Sequence, residues 1–249
     1  MALVVGLGLV MLVAPSEASA AAVSCSGGTT TQRSALTKAM KRAVSRDVNP
    51  STLRIALHDG RTGVECGYQE NSQLYTRSVI KVALSASLIR MRHQQGRKLT
   101  RAEYGLMNAA ITRSVNAAGQ AIYNRLGSDG PLRAMFVSLG VTGIKYSGNG
   151  RWGNTRLSAA QHVKFLQGLT DGSNRGLPRS GKDYLIDRMH HPVCVNKCAV
   201  TIIAWDPCRC VPAAPLLAVY RPQIAVLVSP FIPNGNPMIV EVFDVGVAA

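Results

Sequence analysis

The chain has 249 residues, of which 47% are hydrophobic and 16% charged, so it is long and apolar enough to bury a core and too sparsely charged for a disordered protein. Its formal charge is +15, with 28 Lys and Arg against 13 Asp and Glu, and only 5% of it is aromatic. That balance, without any nucleic-acid motif, suits an anionic cell envelope or plain solubility and argues against nucleic acid as a partner. The charge is uneven. From Pro192 onward Lys197, Arg209 and Arg221 are matched by Asp206, Glu241 and Asp244, so the whole excess sits in the first 191 residues.

Residues 1–20 read as a signal peptide: an apolar run from Ala2 to Ala14, then small and polar residues ending in Ala18-Ser19-Ala20, with cleavage expected after Ala20. The run is short for a transmembrane helix, and an uncleaved N-terminal anchor is the alternative. No Lys or Arg precedes it, from which a natural start upstream of Met1 is expected. An exported chain meets an oxidising compartment. Cys25 and Cys66 are then expected to form a disulfide that ties the N-terminus to a sheet, in preference to lipidation of Cys25, whose preceding residues lack the usual pattern.

Thr30 to Val44 predicts a helix, with Leu36, Met40 and Val44 on one stripe. Leu53 to His58 alternates as a strand, Asp59 to Gly63 is turn chemistry, and Val64 to Tyr68 returns, which makes a hairpin. His58 belongs to that strand, and surface or sheet packing is its expected role. Arg77-Ser78-Val79-Ile80-Lys81 then opens the apolar stretch Val82 to Ile89. In a helix beginning near Ser78, residues three apart share a face, which puts the Ser78 hydroxyl beside the Lys81 amine. A serine becomes a useful nucleophile when a neighbour takes its proton, and a lysine whose pKa burial has lowered can do so.

The basic stretch Arg90 to Lys98 reads as a solvated face. Thr100 and Glu103 form a capping box for a helix through about Ala110. Ser114-Val115-Asn116 precedes a further helix ending at Leu126, Pro131 to Leu139 is helical, and so is Ser158 to Leu169. This Ser-x-Asn triplet, following Ser-x-x-Lys at that distance, resembles the second motif of the penicillin-interacting serine hydrolases. From about Cys25 to Met189 the chain resembles the class A β-lactamase-like serine hydrolases, in particular secreted actinobacterial ones. First helix, hairpin, Ser-x-x-Lys helix, Ser-x-Asn helix, Trp152-Gly153 and Thr155-Arg156-Leu157-Ser158 follow in the family's order.

The resemblance implies an α/β (α+β) fold of β-lactamase and transpeptidase type, with an antiparallel sheet flanked by helices and a helical lobe. Residues 25–190 would form the hydrolase domain. Ser78 would be acylated, Lys81 would be its general base, and Ser114 with Asn116 would relay the proton and contact substrate. No metal or organic cofactor is implied. The substrate would be a small molecule or cell-wall peptide, and the protein a monomer.

Two departures bear on activity. The loop from Lys145 to Thr155 has no carboxylate, where class A enzymes carry the glutamate that activates water for deacylation, so rapid β-lactam turnover is not expected. Val115 stands where the motif usually has Asp, which weakens the expected support of that loop. After Met189, moreover, there is no Lys-x-Gly, the family's third motif. A relative that binds envelope material without catalysis is the alternative reading.

The tail, 191–249, changes character: it holds eight of the 12 prolines, together with Cys194, Cys198, Cys208 and Cys210. Ile224 to Val228 and Met238 to Phe243 have strand periodicity. Zinc at these cysteines with His190 and His191 is a rival to disulfides or free thiols, although the spacing matches no established zinc pattern. We expect the tail to be read in a shifted frame or to come from a degenerate gene. Sequencing the coding region should then reveal a Lys-x-Gly strand and a terminal helix in another frame, and their absence from every frame refutes the expectation.

Overall fold

The computed structural model describes residues 22–46, 53–60, 62–171, 173, 176–190, 225–229 and 238–243. The expected signal peptide and the four cysteines of the tail lie outside these residues.

Strand β1 (Ser24–Ser26) leads into α1 (Thr30–Arg46), and the hairpin follows as β2 (Arg54–Asp59) and β3 (Val64–Tyr68). The C-terminal runs supply β6 (Ala225–Ser229) and β7 (Met238–Phe243), giving one antiparallel sheet in the order β1-β3-β2-β7-β6. Alternation along β2 divides the interior. Ile55 and Leu57 face a small core with Met40 of α1, Leu53, Val64 and Tyr68, whereas Ala56 faces the larger helical core. Cys25 lies opposite Cys66 across β1 and β3, and the two are joined by a disulfide. His58 Nδ1 lies 3.2 Å from Glu65 Oε1 on the neighbouring strand, a sheet-surface contact.

The helical core is built around α2 (Ile80–Gln94). Every residue from Ile80 to Ile89 is buried, so this helix has no solvent face in its first ten residues. Its two buried serines do not break it, because Ser85 Oγ donates to the Lys81 carbonyl at 2.9 Å and Ser87 Oγ to that of Ala83 at 2.7 Å. Around it pack α3 (Arg101–Thr112), α4 (Asn116–Leu126), α5 (Asp129–Ser138) and α7 (Arg179–His190), while α6 (Ala159–Thr170) lies against β2 and β7.

The helix starts follow the capping rules closely. Thr100 and Glu103 close a capping box on α3, Ser158 and Gln161 close another on α6, and Gly127 ends α4 in the left-handed conformation. Glu103 is also held by Arg92 of α2 at 2.7 Å. Thus the same carboxylate starts α3 and fixes it to the central helix. The start of α7 is tied to the end of α6 by a buried lysine: Lys182 Nζ donates to the Gly168 carbonyl at 2.8 Å and to Asp171 Oδ1 at 2.9 Å. A second, two-stranded sheet joins β4 (Leu74–Tyr75) to β5 (Arg156–Leu157) just before the central helix.

The disulfide closes a loop with a sequence separation of 41. The double substitution Cys25→Ser/Cys66→Ser should therefore lower unfolding free energy by about 2–4 kcal/mol, read from the urea midpoint without reductant. An unchanged midpoint would show that β1 and α1 contribute nothing to the cooperative unit.

Candidate active site

Ser78 sits in a 3-10 turn, Arg77–Val79, that runs without a break into α2. The regular α-helix therefore starts at Ile80, two residues later than the spacing suggested. Ser78 and Lys81 still meet, with Lys81 Nζ 3.0 Å from Ser78 Oγ. Two of the three non-glycine residues with positive φ among the described residues flank this contact, Arg77 at 49° and Ser114 at 52°. An L-residue in that region carries backbone strain, which persists only where surrounding contacts impose it.

The turn between α3 and α4 brings the second motif to the same amine. Lys81 Nζ lies 2.6 Å from the Ser114 carbonyl oxygen, 2.9 Å from Ser114 Oγ and 2.8 Å from Asn116 Oδ1. Val115, in place of the usual acid, caps α4 without a side-chain bond. Its side chain packs on the helical core and its N–H donates to the Ala109 carbonyl at 3.1 Å. Apolar packing plus one backbone bond thus hold this turn.

The loop 145–155 forms the adjoining wall. Its ends are joined by two backbone bonds between Lys145 and Arg156, at 2.8 and 3.2 Å, and its Gly148 N–H is held by Asp129 Oδ2. Trp152 is buried at the inner edge, its indole N–H donating to Gln120 Oε1 at 3.0 Å and its ring centroid 5.6 Å from Lys81 Nζ. Gly119 makes room for it: a Cβ there would stand 3.1 Å from Trp152 Cζ2 and 3.3 Å from Lys81 Cε. An indole therefore occupies the side of Lys81 nearest this loop.

Lys81 has no exposed surface, and burial lowers its pKa from 10.5 to about 8. The hydrogen-bond count is consistent with a neutral amine. The Ser114 carbonyl and Asn116 Oδ1 can only accept, and they use both N–H groups of a neutral amine. The lone pair is left for a hydroxyl proton, from Ser78 or Ser114.

The two motifs thus converge on one amine. Gln120, Trp152 and the Tyr75–Arg156 pair described below also belong to this region. Sequence spacing had no means of finding them, since they come from a helix face, a loop and a two-residue strand pair. No metal-binding group of three or more His, Cys, Asp or Glu occurs among the described residues, and none of their helices is long and apolar enough to cross a membrane.

This architecture is that of the class A β-lactamases. The chain superposes on the TLA-3 extended-spectrum β-lactamase with a TM-score of 0.62 at 11% identity, covering 82% of this chain and 89% of that one. A β-lactamase from Chitinophaga pinensis gives 0.58 at 14% identity, covering 85% and 91%. A β-lactamase from Xanthomonas campestris pv. campestris gives 0.58 at 16% identity, covering 82% and 87%. No protein-family model matches the sequence, and no curated protein matches it.

The lysine also makes a prediction about stability. The folded protein holds the Lys81 proton only below about pH 8, whereas the unfolded chain holds it up to about 10.5. Between those values the unfolded state binds more protons, so stability rises with pH, and below pH 8 the full penalty applies. Relative to Lys81→Met, the wild type should gain about 3 kcal/mol between pH 7.5 and pH 10.5, measured by chemical denaturation, taking about 1.4 kcal/mol per pKa unit. Parallel profiles for the two proteins would contradict the buried, depressed lysine.

Proposed function

We propose that this chain is an exported serine hydrolase or transacylase that acts through an acyl-serine on an amide or ester of a small molecule or cell-wall peptide. The observation that carries this reading is the buried Lys81 amine, 3.0 Å from Ser78 Oγ, with two further neighbours that can only accept its N–H bonds. Lys81 takes the Ser78 proton as Oγ attacks the carbonyl carbon, the C–O bond forms, and negative charge develops on the carbonyl oxygen. The Ser78 N–H, at the start of the helix, supports that oxyanion. Ser114 Oγ, 2.9 Å from Lys81 Nζ, passes the proton on to the leaving group as its bond breaks. Asn116, on the exposed side of the amine, contacts the substrate.

Deacylation is the slow half of the cycle. The loop 145–155 offers a water no carboxylate base, and Trp152 fills the wall beside Lys81. A β-lactam would acylate Ser78 and then remain. A binding-only role on the same fold is the second reading, favoured by the absence of a Lys-x-Gly triplet after Met189.

Intact mass after incubation with a fluorescent penicillin, and separately a fluorophosphonate, should show one adduct that Ser78→Ala abolishes. Lys81→Met should slow labelling by about 10²–10⁴-fold. The wild-type rate should rise with pH through about 8, as Lys81 loses its proton. A folded protein that takes up neither reagent would refute the acyl-serine reading and favour binding alone.

A further inference from the structure

The hundred residues from Asn71 to Thr170, which build the site, contain 14 Lys and Arg and only two acids, Glu103 and Asp129. Both acids are already engaged. Glu103 caps α3 and meets Arg92, and Asp129 accepts from Tyr123 and from the Gly148 N–H. The stretch that carries Ser78 therefore has a large excess of cations, and two of them are not merely scattered over the surface.

Arg77, the residue immediately before Ser78, and Arg156, at the far end of the loop 145–155, converge on one ring. The Arg77 guanidinium carbon lies 4.9 Å from the Tyr75 ring centroid and that of Arg156 lies 4.3 Å from it. Arg156 Nη2 also donates to Tyr75 Oη at 2.6 Å, and Arg77 Nη1 donates to Asn154 Oδ1 at 3.2 Å. Tyr75 is 37% exposed. The paired strands β4 and β5 fix the relation between them, since Tyr75 and Arg156 are register partners and Lys145 bridges to Arg156. Neither guanidinium meets a carboxylate among the described residues.

Two like charges gathered on one aromatic ring repel, and stacking on its face offsets only part of that repulsion. The planar forks that remain are suited to a bidentate oxyanion, a carboxylate or a phosphate group. Such an anion would relieve the repulsion. Arg77 directly precedes Ser78 in the chain, so an anion held there would lie within reach of a molecule that acylates Ser78.

We propose that Arg77, Tyr75 and Arg156 form an anion subsite at the lip of the Ser78 site, and that the acyl donor carries an anionic oxygen group, carboxylate or phosphate type, on its acyl portion. This rests on the acyl-serine reading and specifies its substrate class. The cations are different from the Lys-x-Gly lysine that is missing after Met189, since they come from the 74–77 and 145–156 segments.

The test compares 4-nitrophenyl esters with matched acyl chains: butyrate, the glutarate half-ester, and 4-phosphonobutyrate. At low salt one or both anionic esters should release nitrophenolate through Ser78 at least about tenfold faster than butyrate, and added salt should erode the advantage. Which anionic ester leads distinguishes carboxylate from phosphate. Arg77→Gln and Arg156→Gln should each shrink the preference and together abolish it, whereas Arg179→Gln on α7 should keep it. Equal release from all three esters, abolished by Ser78→Ala, would overturn the anion subsite and leave the acyl-serine reading standing. Release no faster than from Ser78→Ala for every ester would overturn both.

Discussion

The structure depends on one buried amine. Lys81 is the residue through which the central helix and the turn before α4 are joined, because its nitrogen reaches Ser78 on its own element and Ser114 and Asn116 across the interface. A cation with no exposed surface is expensive to hold, and no carboxylate among the described residues bonds to it; the low pKa follows from burial. The surrounding architecture keeps the amine in that state. Ten buried residues in succession fix α2, Gly119 lets α4 approach, and the Trp152 indole closes the side nearest the loop. Holding this lysine buried costs stability, which the large helical core around it offsets.

The same residues account for what the site does not contain. In place of a carboxylate, the loop 145–155 presents an aromatic ring anchored by Gln120, and in place of an acidic residue between Ser114 and Asn116 it is apolar packing of Val115 that holds the turn. Neither brings negative charge to a region already rich in Arg and Lys. Burial alone accounts for the lowered pKa of Lys81, while the excess of Arg and Lys in this stretch sets the charge around it.

Much of the framework was readable from local rules. The hairpin over β2 and β3, the capping box at Thr100 and the Cys25–Cys66 pair each rest on residues whose backbone chemistry is local or whose compartment restricts their partners. The meeting of Ser78 with Lys81 came from helical spacing, although the 3-10 turn and the left-handed Arg77 did not, because strain imposed by packing leaves no trace in residue type. Other features were hidden for a different reason. Helix α7 has only a weak apolar stripe and is held by Lys182 reaching back to α6; β4 and β5 are two residues each, too short for periodicity. In the tail, Met238 to Phe243 had the right alternation amid many prolines. Only pairing with β2 and β6 gives it a place, as an inner strand of the sheet.

By itself the sequence determined the hairpin, most of the helices, the Ser-x-x-Lys and Ser-x-Asn motifs, the lack of a carboxylate in the loop 145–155 and the basic excess, since these depend on composition, on short-range periodicity and on motif spacing. Tertiary structure decided which groups share a space. It put four oxygen atoms around Lys81, the Trp152 ring beside them, and Arg77 and Arg156 on one tyrosine 81 residues from its hydrogen-bond partner. The physical reason is that burial and long-range contact are properties of the folded interior: a lysine's pKa and an arginine's neighbours are set by what the fold packs around them, and no local pattern encodes that.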